Sequence, residues 1–319
     1  MRYFTTTRFV AAALLATVCL ALIPADALSA KRSAAKRTSA KVKQTNNIPY
    51  ADTKNARQTL DVMVPKTPAA KALPVIVYVH GGAWKTGSKS AGRARLQPLV
   101  ASGNYAGVSV GYRLSGEAAW PAQIYDCKAA IRWVRANAVK HGFDPDRIAV
   151  WGSSAGGHLA AMLGTSGGHK MVEGKLGPNT KVSSKVQCVV DFFGPTDLLK
   201  LAGPTGNMPQ SPLYQLFGGP FNKNLAKVRT ANPINYVSKS DPPFLIVHGT
   251  NDPLVPISQS KLLDAALARV KVSSTLVTVN GGGHGKGFGK DVTETVTRFF
   301  DHHLRKTPTK WADHTIKAQ

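Results

Sequence analysis

From about residue 58 onward, short unbroken apolar runs alternate with longer stretches at helical spacing. Val75-Ile76-Val77-Tyr78-Val79-His80, Ile148-Ala149-Val150-Trp151, Phe244-Leu245-Ile246-Val247-His248 and Thr275-Leu276-Val277-Thr278-Val279 are such runs, as are 106–110 and 187–193. Each is closed by glycine, proline, asparagine or aspartate, the pattern of strands covered on both faces. Residues 90–102, 121–140, 155–165, 258–269 and 291–304 read as the helices between them. Residues 58–64 alternate and end at Pro65, which predicts an antiparallel edge strand. This order predicts the α/β class, a mostly parallel sheet with helices on both faces. The rhythm fails at 197–237, where Gly203, Pro204, Gly206, Pro209, Pro212, Gly218, Gly219 and Pro220 interrupt any long helix. Leu213, Tyr214, Leu216, Phe217 and Phe221 give that segment apolar anchors. It is either a short lid over the mouth of the sheet or a packed connection.

The two ends lie outside this alternation. Arg2 and Arg8 precede an apolar run over 9–23, and Pro24-Ala25-Asp26-Ala27-Leu28-Ser29-Ala30 follows. A basic start, a short apolar centre and small residues predict a secretory leader over 1–30, cut after Ala27 or Ala30. The run is too short for a span, so no stable transmembrane segment is expected after processing. Residues 31–46 are basic and poor in large apolar groups and are expected to be a disordered tether. The folded domain is then 47–306, with 307–319 as a tail, and the expected location is secreted or periplasmic.

Lysine and arginine number 41 against 17 aspartate and glutamate, a formal charge of +24. The charge is dispersed and accompanied by no nucleic-acid motif, so with export the expected partner is an anionic polysaccharide or envelope surface, and no nucleic acid. Cys19 leaves with the leader. Cys127 and Cys188 read as core-facing free thiols, and no cluster beside His80, His158 or His248 has zinc-ligand spacing. Neither metal nor cofactor is expected, and nothing in the pattern sets an oligomeric state.

Candidate chemistry enters at Gly152-Ser153-Ser154-Ala155-Gly156, directly after one predicted strand and directly before a helix. A serine at such a strand-to-helix turn is exposed at its crest, so Ser154 is the candidate nucleophile. Downstream, Asp252 lies just past the run ending at His248, and His284 sits in the loop Asn280-Gly281-Gly282-Gly283-His284-Gly285. The chain order is serine, acid, histidine. His284 can accept the proton of Ser154 while Asp252 fixes its tautomer. Asp197 also follows a strand and competes for the acid role, but Asp252 follows the strand next before the histidine's own. Gly81-Gly82-Ala83-Trp84 follows the strand 75–80. Either Gly81 and Gly82 or Gly82 and Ala83 supply backbone N–H groups to an oxyanion hole, joined by Ala155. Trp84 either walls the substrate pocket or packs beneath the loop. Arg113 and Asp126 read as a structural ion pair, and 144–147 as a turn feeding the nucleophile strand.

Taken together these segments resemble the alpha/beta-hydrolase esterases of the hormone-sensitive-lipase-like and carboxylesterase group, and within it the bifunctional feruloyl and acetyl xylan esterases. The matching stretches are His80-Gly81-Gly82-Ala83-Trp84, Tyr112-Arg113-Leu114-Ser115, Asp126–Trp133, Asp144-Pro145-Asp146-Arg147-Ile148, Gly152–Ala160, Pro242–Gly249 with Asp252, and Gly283-His284-Gly285. The resemblance covers about residues 50–305. It implies a serine carboxylesterase with Ser154, Asp252 and His284 as its triad, acting on small esters or acylated polysaccharide. Ala83 departs from the third glycine common in relatives; a backbone donor survives there and the methyl narrows the pocket. The other readings are an exported serine peptidase or aminopeptidase-like hydrolase using the same triad, and a non-enzymatic binding protein on the same fold.

Overall fold

The computed structural model describes residues 41–67 and 69–319; the expected leader and residues 31–40 of the expected tether lie outside them. A nine-stranded sheet runs in the order β1-β2-β4-β3-β5-β6-β7-β8-β9. The strands are β1 Val42–Pro49, β2 Thr59–Pro65, β3 Leu73–Val79, β4 Ala106–Val110, β5 Phe143–Ser153, β6 Cys188–Phe192, β7 Phe244–Gly249, β8 Ser274–Asn280 and β9 His314–Lys317. β2 is antiparallel to both β1 and β4, and every other pairing is parallel. This is the alpha/beta-hydrolase architecture that the resemblance implies.

Successive residues of a strand face opposite sides. In β3, Val75, Val77 and Val79 enter one apolar layer and Ile76 and Tyr78 the other. The first layer packs on helices α2 Ala122–Ala136, α3 Ala155–Thr165 and α4 Ser258–Arg269, the second on α1 Ala91–Ala101 and α5 Lys290–Arg305. α5 shows why its sequence docks. Val292, Val296, Phe299, Phe300 and Leu304 are buried at intervals of one helical turn, with polar residues between. Among the described residues no helix is long and apolar enough to cross a membrane.

Five expectations need correction. The strand near 58–64 is not the edge, because β1 pairs outside it, so the expected tether becomes a strand from Val42. The stretch expected as a C-terminal tail contains β9, parallel to β8, with only Ile316 buried. Both strands lie at sheet edges, where backbone pairing holds them with few apolar side chains, so composition reads them as tails. The turn expected at 144–147 lies inside β5 as a bulge, since pairing with β3 jumps from Leu73↔Phe143 to Val75↔Ile148. The helix expected over 121–140 also ends early, at Ala136, with a separate turn of helix over Ala138–His141.

The segment 197–237 folds as short helical pieces, among them Leu198–Ala202, Pro212–Phe217 and Leu225–Arg229. Its anchors Leu213, Leu216, Phe217 and Phe221 are buried. Its neck is clasped. Asn232 accepts the Leu198 N–H at 3.0 Å and donates to Asp197 Oδ1 at 3.3 Å. Asp126 is fully buried and takes a two-pronged ion pair from Arg113 (2.7 and 2.9 Å), together with the Arg113 N–H and the Gln58 amide. That pair ties the loop after β4 to α2, away from the chemistry. Cys127 and Cys188 are free and buried, and burial pushes both thiols up.

Candidate active site

Ser154 is the single residue between β5 and α3, at φ 56°, ψ −124°. That region is costly for any side chain other than glycine and persists only where the surroundings impose it. Here the Ser154 N–H donates to Phe192 O on β6 (2.8 Å) and its carbonyl accepts the His158 N–H (3.0 Å). The elbow also crosses β3 at very close range. A Cβ on Gly156 would lie 2.1 Å from Val79 O, and one on Gly152 would lie 2.0 Å from Gly156 O. The two motif glycines are therefore demanded by backbone packing, and the serine is lifted onto the crest between them.

Asp252 follows β7 and His284 follows β8, neighbouring parallel strands, so both loops open at the same end of the sheet. Asp252 Oδ2 lies 2.7 Å from His284 Nδ1, and Oδ1 accepts the N–H groups of Leu254 (2.8 Å) and Val255 (2.9 Å). Burial raises the Asp252 carboxyl. Hydrogen bonds from the Val255 N–H, His284 and the Leu254 N–H outweigh it and hold the group below the usual carboxylate range. A carboxylate only accepts, so Nδ1 of His284 carries the proton and Nε2 is left as a base. The His284 ring rests on Phe193, with centroids 4.4 Å apart. Asp197, the competing acid, instead caps the helix Leu198–Ala202 by accepting the N–H groups of Leu199 and Lys200. Ser154, Ala155 and His284 line one cavity of about 280 Å³, together with Ala83, Trp84 and Leu213.

The loop after β3 is built to aim its amides. In a trans peptide the C=O and the next N–H point opposite ways. His80 Nδ1 donates to Gly81 O (2.7 Å), which turns the Gly82 N–H the other way. Gly82 O accepts from the Lys85 and Thr86 N–H groups and the Thr86 hydroxyl, which fixes the Ala83 N–H in the same manner. The loop holds this shape with three consecutive left-handed residues, Gly82 (φ 114°), Ala83 (φ 52°) and Trp84 (φ 58°). Gly81 sits behind the elbow, where a Cβ would be 2.7 Å from Ser153 O. Of the two donor pairs open in the sequence, the pinned carbonyls favour Gly82 and Ala83. Ala155 opens α3, so its N–H has no acceptor in a preceding helical turn.

Sequence reasoning weighed His80, His158 and His248 only as metal ligands, and each has a different place. His80 orients the Gly82 amide. His248 donates through Nε2 to Val255 O (2.8 Å) and accepts the Ser260 hydroxyl at Nδ1 (2.7 Å), which braces the Asp252 turn. His158 joins three parts of the site. Trp84 Nε1 can only donate, so His158 Nδ1 accepts it (3.2 Å), and Nε2–H donates to Ala231 O (2.6 Å). Trp84 thus both lines the cavity and packs under its loop. Position gave one usable signal: His158 stands four residues after Ser154, one helical turn into α3, and so must point back under the elbow.

Burial pushes His158 down to about 4, and it lowers His80 to about 4 as well. The sign follows from linkage. An unfolded histidine takes up a proton near 6.5 and the folded one resists until about 4, so the stability tied to neutral His158 is whole above about 6.5 and lost as pH falls toward 4. Asp191, buried and pushed up to about 7, acts in the opposite sense. A paired measurement removes that background. The stability advantage of wild type over His158→Gln is expected to shrink by about 3 kcal/mol between pH 7 and pH 4. Denaturant unfolding at both pH values checks it, and a gap that stays constant contradicts it.

The BD-FAE family profile matches residues 60–267. The chain belongs to the BD-FAE family. It is thus a member of the serine esterase group that the sequence resembles, and a second profile, TAP-like protein, matches 222–314. Esterase LipC of Mycobacterium tuberculosis is 35% identical over 231 residues, which cover 72% of this chain and 57% of LipC. The chain spans about half the length of the curated relatives it matches. Among solved structures, a truncated carbohydrate esterase from gut microbiota is 34% identical with a TM-score of 0.74, covering 82% of this chain and 96% of that one. An acetyl ester-xyloside bifunctional hydrolase from Caldicellulosiruptor lactoaceticus is 25% identical with a TM-score of 0.65, covering 81% and 95%.

Proposed function

We propose that this BD-FAE member is a serine carboxylesterase acting on short-chain acyl esters, with acetyl or feruloyl esters of plant polysaccharide such as xylan as natural substrates. The observation that carries the reading is the 2.7 Å Asp252–His284 pair opening, with Ser154 on its strained elbow, onto one cavity. Ser154 Oγ attacks the ester carbonyl carbon while His284 Nε2 takes its proton. The carbonyl oxygen becomes an oxyanion facing the N–H groups of Gly82, Ala83 and Ala155. The intermediate collapses by breaking the C–O bond, and the alcohol leaves with the proton from His284. Water then attacks the acyl-serine through the same histidine and releases the acid. Neutralising the oxyanion by fixed amides in a partly closed site contributes a few kcal/mol per donor. The expected leader would place the enzyme where polymeric esters are found.

The small cavity supports the short acyl preference. Each further methylene gains about 0.8 kcal/mol only if a groove buries it, and the insertion above Ser154 offers short helical pieces instead of a continuous apolar helix. Catalytic efficiency on p-nitrophenyl esters is expected to peak between acetyl and butyryl, with acetate released from acetylated xylan. Efficiency that climbs from C4 to C12, measured below substrate aggregation, overturns the acyl assignment. Absence of acetate from acetylated xylan, with small esters cleaved well, overturns the polymer assignment.

A further inference from the structure

A second cavity, of about 520 Å³, adjoins the ester cavity and shares Leu201 and Leu254 with it. Lys200, Lys261, Ser258 and Gln259 line this cavity and not the ester cavity. We propose that this cavity is a subsite for a carboxylate on the sugar that bears or neighbours the ester, so that the enzyme favours acylated acidic saccharides over neutral ones. The proposal rests on the esterase reading above and narrows its substrate class.

Gln259 is the decisive side chain. It is 2% exposed, yet it lines the cavity. Its Oε1 accepts the N–H groups of both Thr196 and Asp197, each at 2.8 Å. An oxygen held by two donors fixes the amide orientation, so the end of Gln259 left for a ligand is the donating Nε2. Gln259 also belongs to the first turn of α4, a helix of twelve residues running Ser258–Arg269. The amino end of a helix favours negative charge, and Lys261 stands in that same turn.

Lys200 faces the cavity from the insertion. Its Nζ lies 3.9 Å from Asp197 Oδ2, a loose contact, while Asp197 Oδ1 is held by the N–H groups of Leu199 and Lys200 and by Asn232. Asp197 therefore offsets part of one lysine, and Lys261, the helix end and the Gln259 amide remain on the positive side. Leu254, 67% exposed, forms the apolar ridge between the two cavities. A saccharide laid across it can rest the C–H face of a ring on leucine, present its ester to Ser154, and turn its carboxylate toward Lys200 and Lys261.

The test compares kcat/KM on an acetylated oligogalacturonate, an acetylated xylo-oligosaccharide and p-nitrophenyl acetate. Wild type is expected to favour the acidic saccharide over the neutral one. Lys200→Gln/Lys261→Gln is expected to lower kcat/KM on the acidic saccharide by roughly tenfold, through KM. On the neutral saccharide and p-nitrophenyl acetate it should remain within about twofold of wild type. Because the whole chain is basic, Lys71→Gln/Lys140→Gln is the charge control; both lysines are exposed and lie just before β3 and β5, at the end of these strands opposite the one that carries Ser154. It should leave the preference intact. Equal loss in both double variants, or no acidic preference in wild type while p-nitrophenyl acetate is cleaved, overturns the subsite. Failure to cleave p-nitrophenyl acetate at all overturns the esterase reading, and the subsite with it.

Discussion

Ser154→Ala should lower turnover of p-nitrophenyl acetate by roughly 10^4-fold or more, leaving KM and folding close to wild type. The size of the effect follows from what remains. The amides of Gly82, Ala83 and Ala155 still bind an oxyanion, and the cavity still orients the ester, but no group is left to form the acyl intermediate. Folding is spared because alanine fits the same backbone position. Ser154 keeps its elbow through its N–H to Phe192 O and its carbonyl to the His158 N–H, both main-chain contacts that alanine retains. Some strain at φ 56° is common to both residues. A pure, folded variant with turnover within tenfold of wild type sinks the assignment, as does a fluorophosphonate that labels another serine.

Asp252→Asn is expected to cost about 10^4-fold in kcat, far more than the loss of one exposed charge. The reason lies in the two N–H groups on its other oxygen. Leu254 and Val255 both donate to Oδ1, so the asparagine must keep its carbonyl there and turn its NH2 toward His284 Nδ1. That ring nitrogen then has to accept, its proton moves to Nε2, and the base that should receive the serine proton is blocked. The prediction separates tautomer control from simple electrostatics. Asp252→Glu retains the acceptor and should lose activity by displacement alone, whereas a mere loss of charge predicts a modest fall for asparagine. Rates at pH 7 and pH 9 check it, because neither pH restores the blocked tautomer.

The legible parts of this molecule were those in which local sequence and tertiary role coincide. Strands β3 to β8 are apolar because both their faces are covered, so their burial is written in their composition. Ser154, Asp252 and His284 were legible for a related reason: each stands shortly after a strand, and the carboxyl ends of parallel strands open at the same end of the sheet. The two edge strands were illegible because β1 is held by pairing with β2 and draws little from its own Lys43-Gln44-Thr45-Asn46-Asn47. The bulge at 144–147 was read as a turn because Asp-Pro-Asp carries turn chemistry wherever it occurs. The work of His80 and His158 was hidden differently. Each acts through a partner distant in the chain or through a carbonyl whose direction only the fold defines, and no spacing rule reports that Trp84 and Ala231 meet across one imidazole.

The clasp of Asn232 on Leu198 and Asp197 gives the insertion a property of its own. Its two ends are pinned side by side, so the chain between them is a loop whose closure is settled at the neck. Lengthening such a loop costs little, since closure entropy grows only with the logarithm of length. Evolution or an engineer can therefore lengthen or exchange the exposed stretches between the clasp points, altering which alcohols and acyl groups are admitted, as long as the buried anchors Leu213, Leu216, Phe217 and Phe221 and the Ala231 carbonyl that holds His158 are kept.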